Sequence, residues 1–251
     1  MIDSHIHADT RPYEDFEKMA ISGIDKAITC AHDPLRMTTS EVVLDHFHRL
    51  VSNDVKRAGE NGLKLYVALG LHPRSISKNY DLIIQALPNL LQNNLMVAIG
   101  EIGLETTSNE EINVFIKQLK IAEDLNAKVI VHTPRTNKKE VTETTKKIIL
   151  ENIDPKLVII DHVDFNIIDD LIDQEFTLGL TVQPRKMSSQ DAVNLLKEYG
   201  TDKFVLNSDI SSSPSDPLSV PKTVHQMRLS DFKEKDIKNV SEKNASKFFN
   251  I

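Results

Sequence analysis

Ile2-Asp3-Ser4-His5-Ile6-His7 is a short alternation of apolar and polar residues that ends on two histidines, two positions apart. Successive side chains of a strand point to opposite faces, so this spacing puts both imidazoles on one face, which in a closed barrel is the inside. Similar short β-branched runs recur along the chain. They read as strands over Ile2–Ile6, Lys26–Thr29, Lys64–Leu69, Met96–Gly100, Lys128–Val131, Leu157–Ile160, Thr177–Thr181 and Phe204–Asn207. Amphipathic stretches lie between them. Ser40 precedes a helical pattern over Glu41–Glu60, Ser108 with Glu111 suggests a capping box, and Ser188 opens Ser189–Tyr199. The tail Val240–Phe249 reads as a last helix covering the barrel. Eight strands, each followed by a mainly helical segment, predict an α/β protein: a single-domain (β/α)8 TIM barrel over residues 1–251. The competing fold is an open doubly wound sheet. It usually carries a glycine-rich phosphate loop after its first strand, and this sequence has none.

With 251 residues, 40% hydrophobic and 27% charged, the chain can build one substantial core without disulfides or structural metals. Its single cysteine, Cys30, lies in an apolar run and reads as a small core residue, consistent with a reducing, cytoplasmic setting. Met1–Thr10 lacks the charged and apolar regions of a signal peptide, and no apolar run has the length of a membrane span. A net charge of -7 disfavours a broad nucleic-acid or lipid-binding surface. A strand end could still enter a cleft whose local sign is reversed by metal ions. Ser211–Pro221, rich in Ser and Pro after the last strand, reads as an active-site loop.

Glu101, His132, His162 and Asp209 fall at the ends of the fourth, fifth, sixth and eighth strands. With His5 and His7 they would converge on the C-terminal mouth, where TIM barrels carry their chemistry. Four imidazoles and two carboxylates without a thiolate suit one or two divalent ions such as Zn, Mn, Mg or Fe. Each residue alone has a bland reading: a hydrogen-bonded loop histidine, or a solvated carboxylate at a strand end. Their joint placement at strand ends is what points to a metal site. His46 and His48 are also two apart, but in a helix that spacing separates side chains by about 200°, and both are expected on the surface. His32 reads as a rim residue without a role, and His225 is given none.

These residues resemble the TatD-like branch of the metal-dependent amidohydrolase superfamily. Ile2 to His7 is similar to its Asp-x-His-x-His start, Gly70-Leu71-His72-Pro73 to its Gly-x-His-Pro turn, and Ala98 to Leu104 to its Gly-Glu-Ile-Gly-Leu segment. Glu105 stands where an Asp is usual, Arg135 lies one position later than the usual Arg, and Asn207-Ser208-Asp209 replaces Glu-Thr-Asp. The stretch Thr181 to Lys186 looks like an archaeal TatD-related subgroup.

The resemblance implies that His5 and His7 bind one metal, His132 and His162 the other, and that Glu101 bridges them. A metal-bound hydroxide would attack, Asp209 would be ligand and general base, and His72 and Arg135 would bind substrate. The implied substrates are phosphate esters, either a small-molecule phosphoester or a nucleic-acid strand end (phosphodiesterase or 3′–5′ deoxyribonuclease type). The alternatives are a small ester, amide or lactone, and a metal-binding barrel without activity. A strand-end nuclease further predicts exposed aromatic rings near the mouth, in a chain with 5% aromatic residues and no tryptophan.

Overall fold

The computed structural model describes residues 1–31 and 37–251, so His32 lies outside the described residues. Eight strands form the frame: β1 Ile2–Ile6, β2 Lys26–Cys30, β3 Lys64–Ala68, β4 Met96–Gly103, β5 Val129–His132, β6 Val158–Ile160, β7 Thr177–Thr181 and β8 Phe204–Asn207. Each pairs in parallel with the next, in sequence order from β1 to β8. Bonds just past β8 bring the ends of the sheet together. The Asp209 amide donates to the His5 carbonyl at 2.9 Å and the His7 amide to the Ile210 carbonyl at 2.8 Å. Side chains reinforce the seam: the Ser208 amide and hydroxyl donate to the Asp3 carboxylate at 3.0 and 2.5 Å, and the Ser4 hydroxyl donates to the Leu206 carbonyl at 3.0 Å. The fold is a TIM barrel, and the doubly wound alternative is excluded by this strand order.

The apolar residues divide into two shells. Ala27, Leu65, Val67, Ile99, Val129, Val131 and Leu178 pack outward against the helices, where Phe16, Phe47 and Phe115 are buried. Ile2, Ile28, Tyr66, Ile130, Ile159 and Val205 form a second cluster together with Ala245, Phe248 and Phe249 of the C-terminal helix Asn244–Phe249. Two adjacent phenylalanines from the chain's end thus close the floor of the barrel, opposite the mouth. Among the described residues no helix is long and apolar enough to cross a membrane.

Several local expectations shift. The second long helical run starts at Ser40, and Thr39, not Ser40, caps it through the Val42 amide at 3.5 Å; the Ser40 hydroxyl is instead buried against the Asn79 carbonyl. Ser108 accepts from the Glu111 amide, but the Glu111 carboxylate does not return to Ser108. It gathers the amides of Glu105, Thr106 and Thr107, which stabilises the turn after β4. The reciprocal capping box occurs at Ser188 and Asp191. The last helical run begins before Val240, at Glu234, and passes through a wider π turn at Asn239–Lys243. His48 is exposed as expected, whereas His46 is buried. It lies three residues after Val43 and four before Leu50, so the helical repeat carries it onto the inward face.

Truncation of the floor tests this packing. Phe249→Ala is expected to lower the unfolding free energy by about 3 kcal/mol, the usual cost of a large core cavity. Urea titration followed by circular dichroism measures it; an unchanged midpoint would show that the floor contributes nothing to the core.

Candidate metal centre

All six predicted residues meet at the mouth, and each is 6% exposed or less. His5 lies in β1 with His7 just past it, and His132 is the last residue of β5. Glu101 does not close β4 as expected: the strand runs on to Gly103, because Ile102 and Gly103 pair with Val131 and His132. His162 and Asp209 stand two residues beyond β6 and β8 with φ of 60° and 44°. Such left-handed backbone costs a residue with a Cβ on the order of 1 kcal/mol or more. It turns both side chains back over the strand ends.

Glu101 is at the centre. Its Oε1 is 3.0 Å from His132 Nδ1 and 3.0 Å from His162 Nε2, while its Oε2 is 3.5 Å from His5 Nε2 and 3.8 Å from His7 Nε2. One carboxylate oxygen therefore faces each histidine pair. Asp209 Oδ1 is 3.1 Å from His7 Nε2 and 3.9 Å from His5 Nε2. Donor atoms of His5, His7 and Asp209, and separately of His5, Glu101 and His162, lie within 4.8 Å of one another, close enough to share an ion.

A neutral imidazole ligates through the nitrogen without a proton, so the partner of the other nitrogen decides which one is available. His5 Nδ1 is 2.5 Å from Asp161 Oδ2, and His7 Nδ1 is 3.1 Å from the Cys30 carbonyl. Both acceptors take an Nδ1 proton and leave the Nε2 lone pair facing Glu101. His162 Nδ1 meets Thr181 Oγ1 at 2.7 Å; that hydroxyl gives its own proton to Asp161 Oδ1 at 3.5 Å and so accepts from the ring, with the same result. His132 is held by its other end: Nε2 is 3.0 Å from Glu105 Oε2, and Nδ1 faces Glu101. The donor set therefore fits divalent ions.

His72 is different. It, Glu101 and His132 also place three donor atoms within 4.8 Å. But His72 Nδ1 accepts the Arg74 amide at 3.1 Å, which puts the ring proton on Nε2, the nitrogen nearer Glu101 at 4.0 Å. The ring is set to donate a hydrogen bond into the site, not a lone pair.

Two residues here escaped the sequence reading. Asp161, fully buried, accepts from His5, from the His162 amide at 3.0 Å and from Asn207 Nδ2 at 2.7 Å. A Cβ on Gly179 would lie 2.0 Å from its Oδ1, so the glycine makes room for it. Glu105 holds His132 and sits 3.6 Å from the Arg74 guanidinium. An acid next to a histidine in sequence is a weak signal; Asp161 is identified only by the fold, which brings β1 opposite β6.

The electrostatics are those of charges buried in pairs. Burial would raise the Glu101 carboxyl, but the charge of His5 and hydrogen bonds from His132 and His162 hold it well below the usual carboxylate range. Burial likewise opposes ionisation of Asp209, yet Lys186, whose ammonium touches its Oδ2, and His7 keep it well below. Burial would depress His5 and His132; their anionic neighbours raise both instead. Burial and the charge of Lys186 push His162 down to about 4. Burial lifts the Cys30 thiol to about 11, which fits an inert core residue.

Five of the six, all but the fully buried His5, line a cavity of about 350 Å³ whose walls include Arg74, Arg135, Lys138, Arg185 and Lys186, together with Ser211, Ser212 and Ser213 of the predicted loop. Among the described residues no phenylalanine, tyrosine or tryptophan lines it. Phe165, 46% exposed between the lining residues Asp164 and Asn166, stands beside the mouth.

Residues 2–250 match the model of the TatD related DNase family. The chain belongs to the TatD family. An "uncharacterized metal-dependent hydrolase" of Methanocaldococcus jannaschii is 43% identical over 253 residues, covering 100% of both chains. A TatD-like protein from Archaeoglobus fulgidus superposes with a TM-score of 0.86 at 31% identity, again over 100% of both chains. A phosphotriesterase homology protein from Escherichia coli, solved with phosphate in its active site, shares the fold at a TM-score of 0.74 and 14% identity, over 99% of this chain and 98% of its own. This TatD-family protein is accordingly a metal-dependent hydrolase.

The Asp161 contact is testable. Asp161→Asn should leave the protein folded by circular dichroism but weaken metal binding by about 10–100-fold, the usual effect of removing the acceptor behind a ligating histidine. Gly179→Ala, which crowds the same carboxylate, should act in the same direction. Titration calorimetry with Zn or Mn on metal-stripped protein reads both; unchanged affinity in Asp161→Asn would remove Asp161 from the site.

Proposed function

We propose that this protein hydrolyses phosphate esters with a pair of divalent ions. His5 and His7 would hold one, His132 and His162 the other, with Glu101 between them and Asp209 completing the first site. The observation that carries the two-ion reading is the division of Glu101, with one oxygen towards each histidine pair. Zn, Mn and Mg are the candidate ions. When bound they would lower the pKa of water towards neutrality and polarise a substrate oxygen.

The chain's own groups do the rest. Asp209, held ionised by Lys186, is the group that accepts a proton. A phosphoryl oxygen would compete for the Lys186 ammonium, and loss of that contact makes the Asp209 carboxylate more basic when substrate is in place. His72 Nε2–H donates to an oxygen on which charge develops. Arg135 binds substrate by its planar fork.

Of the five cationic side chains around the cavity three are paired with acids, and the two left over, Arg135 and Arg185, favour an anionic substrate. A neutral lactone, ester or amide would make no use of them, and that reading is the alternative. Within phosphate chemistry, the position of Phe165 favours a second reading: a strand end whose terminal base stacks on the exposed ring.

Metal-loaded protein assayed against phosphodiesters, oligonucleotide ends, carboxylic esters and lactones tests the substrate class. Phosphoester turnover is expected, and strong lactonase turnover without it would overturn the proposal. Glu101→Gln keeps the shape and removes the charge between the ions. It should bind one equivalent of metal less, lose at least about 100-fold in kcat and keep its circular dichroism spectrum. Full metal content with undiminished turnover would eliminate the bridging role.

Metal binding should also release protons. His5 and His132 are raised in the metal-free protein, so at neutral pH an incoming ion displaces protons from them. Affinity should therefore climb as pH rises through neutrality. Calorimetry in two buffers of different ionisation enthalpy measures the released protons; identical heats in both would contradict this.

A further inference from the structure

The five cations of the cavity are not equivalent. Arg74 lies 3.6 Å from Glu105, Lys138 lies 3.0 Å from Asp164 and donates to the His162 carbonyl, and Lys186 touches Asp209. These three charges are already matched. Arg135 and Arg185 line the same cavity, both exposed, and neither has a hydrogen bond or ion pair with any described residue.

Arg185 is held there against the preference of its own backbone. The turn after β7 runs Gln183-Pro184-Arg185-Lys186, closed by the Lys186 amide donating to the Gln183 carbonyl at 3.0 Å. Proline occupies the second position, and Arg185, third, has φ of 70°. This is the pattern of a type II turn, whose third position favours glycine because a Cβ is strained at positive φ. The turn is also anchored. Gln183 Nε2 donates to the Asp209 carbonyl, and Val182 bridges to Met187 across the turn's base. An arginine thus stands where glycine would sit more easily, beside the lysine that reaches Asp209. A strained residue at the rim of a cavity points to a functional role for its side chain.

We propose that Arg135 and Arg185 form an anion clamp for a second phosphate of the substrate, distinct from the phosphoester cleaved over the metal centre. Guanidinium forks match phosphate oxygens in pairs, and two unpaired ones lining one cavity are suited to a dianion that neither Lys186 nor the metal ligands engage. The preferred substrate is then a compact phosphodiester bearing an additional phosphate, of a size compatible with a cavity of about 350 Å³. This rests on the phosphoester reading for its catalytic half. The clamp itself does not, because it binds phosphate without any reaction.

The test separates the two. Inorganic phosphate is titrated calorimetrically into EDTA-stripped wild type, Arg135→Gln and Arg185→Gly, and the Tm of each is recorded. Wild type should bind phosphate, and each variant should bind it at least about tenfold more weakly. Arg185→Gly should melt at the same temperature as wild type or higher, since glycine relaxes the turn. In the metal-loaded enzyme, a 3′-phosphate on the p-nitrophenyl ester of thymidine 5′-phosphate should lower KM at least about tenfold. Either variant should abolish that difference between the two esters. Equal phosphate affinity in all three proteins, or a Tm of Arg185→Gly several degrees below wild type, would overturn the clamp. An ester pair with equal KM in wild type would overturn the second-phosphate assignment. Arginine-dependent phosphate binding without turnover of any phosphoester would leave the clamp standing and refute the phosphoester reading.

Discussion

Four carboxylates, Asp3, Glu101, Asp161 and Asp209, are buried at one end of this barrel, and the rest of the mouth is organised around keeping that tolerable. Moving a carboxylate out of water costs several kcal/mol even after relaxation, and an unpaired one would unfold a protein of ordinary stability. Each is compensated in a different way. Asp161 is balanced by His5, by the His162 amide and by Asn207; Glu101 sits among five imidazoles; Asp209 has Lys186 and His7. Asp3 takes the remaining route: burial raises it to about 7 in spite of its bonds to Ser208, so near neutrality it is partly protonated.

The same groups therefore serve both the fold and the chemistry. The Asp3–Ser208 contacts join the first strand to the segment that presents Asp209, and Asp209's own amide bonds to the His5 carbonyl. Closing the barrel and assembling the centre are one event, since His5, His7 and Asp209 all originate at the seam between β1 and β8. The other end is apolar, where Phe248 and Phe249 close the floor. This separation of a dry apolar base from a charged mouth lets the loops after β4, β6, β7 and β8 vary in length and charge without disturbing the core.

Those loops surround the cavity: the Thr181–Lys186 stretch, the Ser-rich segment after Asp209 and the Asp164–Asn166 loop all contribute to its lining, as do Glu105 and Arg135, two of the departures from the usual TatD pattern. The family likeness accounts for the metal-binding floor, and the arginines and Phe165 stand at the rim above it.

Much of this was legible in the linear sequence. Strand-length β-branched runs gave eight strands in order because parallel strands buried on both faces have no choice but to be apolar. The His-x-His spacing and the polar residues at strand ends located the six central side chains because a barrel sends every strand end to one mouth. What the sequence determined, then, was which residues gather. Which nitrogen of each histidine faces the centre, that His72 donates while its neighbours present lone pairs, and that Asp161 and Glu105 stand behind His5 and His132 were decided only by the tertiary structure. So was the burial of His46, and so was the matching of three cavity cations but not Arg135 and Arg185. The physical reason is common to all of these. Tautomer, pairing and burial depend on contacts a few ångströms long between residues far apart in the chain, such as His5 and Asp161, 156 positions apart, or Asp3 and Ser208, 205 apart, and no local pattern encodes a partner at that separation.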